Sequence, residues 1–188
     1  MKAFLIDKLG EQNGSRIWEL TQHRLGQLRS EAPHKSRQQT KVLRNLLLPR
    51  IALYQVLLEQ NYSKEQALKL LEAHMVIANA IPMRKKYDAL DRLPCAYFLF
   101  RTGFAKIVRS SDLWDADVDD SDSSEFHVTM HRCFWHDTFA EYGCPEICQF
   151  ACQCDDLTYS DLHHIDYSRT QTLGTGGTCC DFYFRKRT

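Results

Sequence analysis

Seven of the eight cysteines lie between Cys133 and Cys180, and only Cys95 lies earlier. Thiols at that density bridge, hold a metal or attack an electrophilic carbon. The spacing Cys144-x3-Cys148-x3-Cys152-x-Cys154 matches no standard zinc or iron–sulfur pattern, so no metal is assigned. The opening Met1–Asp7 reaches an acid too early for a secretory signal. The expectation is therefore a cytoplasmic protein with free thiols. Packing as small buried hydrophobes competes with a chemical role at every one of these cysteines. Cys144 and Cys148, four apart, should share one helix face. His127, Thr129, His131 and Cys133 alternate with Phe126, Val128 and Met130. One strand face would then present a metal site, a general base beside a thiol, or an ordinary solvent face. Gly174-Thr175-Gly176-Gly177 lacks the lysine and the strand–loop–helix order of a phosphate loop, and reads as a turn. The aspartates between Asp112 and Asp122 lack the glycine and closing glutamate of a calcium loop.

Behind these residues stand two kinds of element. Residues 1–109 read as helices: one capped by Ser15, and one over residues 36–60 that Pro49 should kink or divide. A third opens at the capping box Ser63–Gln66 and should end before Pro82. A further helical stretch runs to about Val108, with Pro94 as its candidate break. Residues 110–124 read as an acidic linker loop. From 125 to 188 the period shifts to two, with short helices at 135–142 and 145–154. The runs 163–172 and 178–185 should pair as an antiparallel hairpin. The fold class is α+β: a helical N-terminal half packed on a small antiparallel sheet with helices on one side, in one compact unit.

The C-terminal run Arg169-Thr170-Gln171-Thr172-Leu173-Gly174-Thr175-Gly176-Gly177-Thr178-Cys179-Cys180-Asp181-Phe182-Tyr183-Phe184 resembles the closing signature of the L-2-amino-thiazoline-4-carboxylic acid hydrolase family. Cys152-Gln153-Cys154-Asp155 resembles its C-x-x-D element, and Arg132-Cys133 the cysteine closing its first strand. Leu48-Pro49-Arg50-Ile51-Ala52-Leu53-Tyr54 and Ser63-Lys64-Glu65-Gln66-Ala67 resemble its long helix and capped helix. The likeness spans about residues 43–185. It implies hydrolysis of a cyclic amidine or thiazoline carboxylate to a carbamoyl-cysteine-like product, with no cofactor. That chemistry asks for an anion beside the amidinium, a cation for the carboxylate and an activated nucleophile. Cys180 is the first choice of nucleophile and Cys152 the second, with Asp155 as acid or base and His131 as the base of a water route. Arg169, Thr170, Asp181 and Cys133 are assigned to substrate binding. A strand puts Asp181 on the face opposite Cys180, which argues against a direct pair.

Composition narrows the partners. The 188-residue chain has net charge +0 and is 44% hydrophobic, with no apolar run near the ~20 residues of a membrane span. Residues 1–109 carry 19 Lys/Arg against 9 Asp/Glu, and residues 110–188 carry 5 against 15. The basic charges are spread, no DNA-binding motif is present, and Trp18, Trp114 and Trp135 are scattered. Nucleic acid is therefore not expected. The partner is a small molecule, and a homo-oligomer is left open. A small-molecule sensor of the type related to vinyl reductase, similar in outline, is the alternative: the same pocket binding a ligand without turnover.

Overall fold

The computed structural model describes residues 1–187. Helices α1 (Lys2–Leu9) and α2 (Glu11–Glu31) form a tight corner at Gly10. Gly14 makes the corner close-fitting: a Cβ there would lie 2.5 Å from the Leu5 carbonyl oxygen. Helix α2 thus starts before Ser15, which lies inside it rather than capping it. Ser63 does cap its helix, with Gln66 returning the bond.

The two internal prolines neither end nor break their helices. Helix α3 (Arg37–Val42) runs through a wide π turn, Leu43–Leu47, into α4 (Leu48–Glu59). Helix α5 (Lys64–Met75) runs through a second π turn, Val76–Ala80, into α6 (Ile81–Asp91). In each case the extra residue falls just before the proline. A π turn widens the helix where the ring would clash and where an N–H is missing. At the first, Arg29 Nη2 donates to the Arg44 carbonyl at 3.0 Å. Pro94 does mark a break, after which α7 (Ala96–Ser110) begins.

Within the expected acidic linker, residues 114–119 form a strand. β1 (Trp114–Asp119) pairs antiparallel with β2 (Glu125–Cys133). Its aspartates alternate with Trp114, Ala116 and Val118, which turn inward while the acids face water. This is period-two patterning on a sheet edge, and the acids guard that edge. After α8 (Phe134–Glu141), a short turn leads into α9 (Cys148–Tyr159). Cys144 lies before this helix, so the four-apart pair on one helix face is Cys148 with Cys152. β3 (Ile165–Ser168) and β4 (Cys180–Lys186) pair antiparallel, and the sheet order is β1-β2-β4-β3. Their connection, residues 169–179, is longer than a tight hairpin turn and holds a helical turn at Leu173–Thr175.

Two cores result. Leu43, Leu47, Leu53, Leu57 and Leu71 of the helical half join Phe139, Ile147 and Cys148. Phe100 and Val108 of α7 join Phe126, Val128, Phe182 and Phe184 of the sheet. The helices cover one sheet face, as the α+β reading expected. No helix among the described residues is long and apolar enough to cross a membrane.

Candidate active site

Helix α9 presents Cys148, Cys152, Asp155 and Tyr159 along one stripe, at the four–three–four spacing of a single helical face. That stripe lines a cavity of about 670 Å³ between the two cores. Opposite it are Met130, Cys133, Cys180 and Phe182 of the sheet, and the turns at Leu46–Arg50 and Ala78–Met83 complete the wall. Both π turns therefore abut the cavity, a common place for such bulges.

Cys133 reaches this wall because β2 bulges. Asp115 pairs with Arg132 but Ala116 with Met130, so His131 is the extra residue and the alternation resets after it. His131 and Cys133 thus point to opposite sides, against the simple period-two reading. His131 is exposed and lies 2.9 Å from Asp117 on the outer face, so the expected water-activating base does not reach the cavity.

The loop after β3 closes the site. Asp181 accepts from the backbone N–H groups of Thr170 and Gln171, each at 2.9 Å, and from the Thr170 hydroxyl at 2.5 Å. Despite burial, those bonds hold its carboxyl below the usual range. Asp181 and Thr170 therefore shape the loop and do not line the cavity. What they position is Arg169. Its Nη2 donates to the Cys152 carbonyl at 2.9 Å and to Asp156 at 2.5 Å. Its buried Nη1 has no hydrogen-bond partner in the protein. Gly174 lets the same loop press onto α9, since a Cβ there would lie 2.8 Å from the Cys152 sulfur and 3.1 Å from that of Cys148. The signature glycines are thus not all turn chemistry. Gly176, at φ +87°, supplies the left-handed residue, and Gly174 supplies close approach.

Cys152 is the electrostatic focus. The neighbouring Cys148 and Cys180 thiols, then the Thr172 hydroxyl and the Arg169 charge, favour its thiolate against burial and lower its pKa. The same contacts, followed by burial, push the Cys148 and Cys180 thiols up. The Leu173 N–H also reaches the Cys180 sulfur, at 3.3 Å. Burial raises Cys133 to about 11. Asp155 opens onto the cavity, but the surrounding protein withdraws it from bulk water. That burial, then the Cys152 charge, raises its carboxyl to about 7 against the pull of Arg169. It lies within α9. Among thiols held neutral, one favoured as thiolate beside a carboxyl titrating near neutrality is equipped for covalent attack with acid–base help.

Of the residues expected from sequence, Cys133, Cys152, Asp155, Arg169 and Cys180 converge on this cavity, and His131, Thr170 and Asp181 do not line it. Sequence reasoning passed over Cys148, Arg50 and Tyr159. The signal for Arg50 was present: a lone charge within Leu46-Leu47-Leu48-Pro49-Arg50-Ile51-Ala52-Leu53. All eight cysteines are free thiols, and the described residues contain no cluster of three His, Cys, Asp or Glu fit to hold a metal.

No curated protein matches the sequence. Among solved structures, the chain is similar to the Fe(II) unliganded H-NOX protein from K. algicida. The identity is 13% with a TM-score of 0.34, covering 100% of this chain and 95% of that one. An alanine-to-glycine mutant of the same protein gives 10% identity and a TM-score of 0.31, covering 99% and 94%. Likenesses this faint carry no argument about fold or ligand. The profile of the L-2-amino-thiazoline-4-carboxylic acid hydrolase family matches residues 40–184, a span that takes in both π turns, all four strands and the cysteine stripe of α9, and the chain belongs to that family.

Proposed function

We propose that the protein hydrolyses a cyclic amidine or thiazoline carboxylate through a covalent intermediate on Cys152. The observation that carries the reading is the convergence of Cys152, Asp155 and Arg169, with its unpartnered Nη1, on one cavity; burial raises the Asp155 carboxyl, and its surroundings favour the Cys152 thiolate. Family membership supplies the reaction class. The sequence favoured Cys180; we take Cys152, because Arg169 donates to its carbonyl and the Gly174 loop presses on its sulfur.

The step sequence balances. Arg169 Nη1 holds the substrate carboxylate. The Cys152 thiolate attacks the ring carbon between sulfur and the two nitrogens, and the ring carbon–sulfur bond breaks. The departing sulfur takes the Asp155 proton, leaving an isothiourea on Cys152 and a free substrate thiol. Asp155, now ionised, takes a proton from water as the oxygen adds to that carbon. The bond to Cys152 breaks, thiolate and protonated Asp155 are restored, and the isourea tautomerises to the carbamoyl product.

The test is turnover of 2-aminothiazoline-4-carboxylate, read as ring opening and new thiol, by the wild type, Cys152→Ser and Cys180→Ser. Cys152→Ser should be inactive yet folded. Cys180→Ser should retain activity reduced roughly 10–100-fold, because a hydroxyl still donates to the thiolate. An active Cys152→Ser enzyme removes the covalent route. Tight binding of cyclic amidine acids without turnover by the wild type would support the sensor reading, which the apolar body of the cavity also suits.

A further inference from the structure

We infer that Arg50, oriented by Asn79, forms a second anion-binding subsite, and that the ligand of this cavity carries two anionic groups separated by an apolar body. This deepens the hydrolase reading and rests on it only for the reacting end of the ligand.

Arg50 opens α4 just after Pro49 and lines the cavity, although it is only 5% exposed. Nη1 donates to the Leu46 carbonyl, and Nη2 donates to Asn79 Oδ1 at 2.9 Å. Nε is buried with no partner. Among the described residues Arg50 makes no ion pair; every carboxylate bridge goes to another cation. A guanidinium taken out of water without a counter-charge is costly, and native proteins rarely leave one so. The neighbouring side chains do not supply the missing charge. Cys154 beside it is raised by burial to about 11, so its thiol is neutral near pH 7. His74 is held neutral, lowered to about 4 by burial and by Arg50 itself. Asn79 offers only a dipole.

The two guanidiniums of the cavity have separate surroundings. Arg169 belongs with Cys152, Asp155 and Asp156, and Arg50 with Cys154, Asn79 and His74. The rest of the wall is largely apolar, with Met130, Phe104, Phe182, Val108 and the stacked rings of Trp114 and Trp135, 5.8 Å apart. A cavity of about 670 Å³ lies in the range that takes drug-sized ligands. A bare five-membered ring acid fills only a small part of it and leaves Arg50 unmatched. A substrate with the reacting ring and carboxylate at the Arg169 end, an apolar or aromatic linker, and a second carboxylate or like anion at Arg50 uses every wall.

The experiment is calorimetric titration of the purified full chain with a graded series of α,ω-dicarboxylates and with the monocarboxylates of the same chain lengths. At the fitting length the dicarboxylate should bind about tenfold tighter than its monocarboxylate, a difference of about 1.4 kcal/mol. Arg50→Gln should erase that preference, so that the dicarboxylate binds no tighter than its monocarboxylate. If Arg50→Gln does not fold, Arg50→Lys replaces it, and the preference should fall without vanishing, since a point charge replaces the oriented fork. No dicarboxylate preference at any length, or a preference unchanged in the variant, overturns the subsite. Because binding is read without turnover, thiazoline hydrolysis with no dicarboxylate preference overturns the subsite alone. A preference without hydrolysis supports the subsite and counts only against the hydrolase reading.

Discussion

Replacing Asp155 with asparagine should make the protein more stable, and increasingly so as the pH rises. The carboxyl is raised from 3.8 to about 7, first by burial and then by the Cys152 charge. A group raised on folding favours the folded state in its protonated form. Its contribution is complete below about pH 4 and is lost as the pH climbs through about 7. The span of roughly three units is worth about 4 kcal/mol at 1.36 kcal/mol per unit. Part of Asp155 opens onto the cavity, so about 2–4 kcal/mol is the working range. Asparagine has nearly the same shape and cannot ionise. Urea unfolding of the wild type and Asp155→Asn from about pH 4 to about pH 8 is the assay, with titrating groups remote from Asp155 cancelling in the difference. The two should have similar stabilities at the acid end and diverge steadily in favour of the variant. Parallel curves across the range would refute the reasoning, because they would mean that Asp155 ionises in the folded protein as easily as in the unfolded chain.

Gly174→Ala should lower stability by about 1–3 kcal/mol by forcing a methyl against the Cys152 and Cys148 sulfurs. It should also slow turnover more than it weakens binding; thermal melts beside steady-state kinetics check both. Asp181→Ala should cost about 2 kcal/mol through three lost hydrogen bonds. It should raise KM for an anionic substrate more than it lowers kcat, because Arg169 loses its supporting loop. The Asp181 contribution has the opposite pH sign to that of Asp155: its carboxyl is held low, so it stabilises above the ordinary carboxylate range and the effect fades in acid.

Much of this arrangement was legible because it rests on local pattern. The capping box at Ser63 and the alternation of Phe126, Val128 and Met130 are written in adjacent residues, and the structure repeats them. Three features were not legible, each for a physical reason. A π turn absorbs Pro49 and Pro82 inside continuous helices, a solution that depends on the neighbouring packing. The bulge at His131 depends on where β1 pairs, and it reverses the side on which Cys133 lies. The aspartates of β1 look solvated because they are; only the inward Trp114, Ala116 and Val118 distinguish a sheet edge from a linker. The choice among cysteines was likewise beyond sequence. Cys180 and Cys152 both match the family pattern, and only the fold shows that Arg169 donates to the Cys152 carbonyl and that the Gly174 loop packs on the Cys152 sulfur.

The central claim, that Cys152 stands ready as a thiolate at neutral pH, is tested most directly by alkylation with iodoacetamide, with each cysteine followed by peptide mass spectrometry from about pH 6 to about pH 9. Cys152 should react at a rate nearly flat across that range, while Cys133, Cys148, Cys154 and Cys180 lag far behind at neutral pH. A Cys152 rate that climbs about tenfold per pH unit, as for an ordinary thiol with pKa near 8.5, would contradict it.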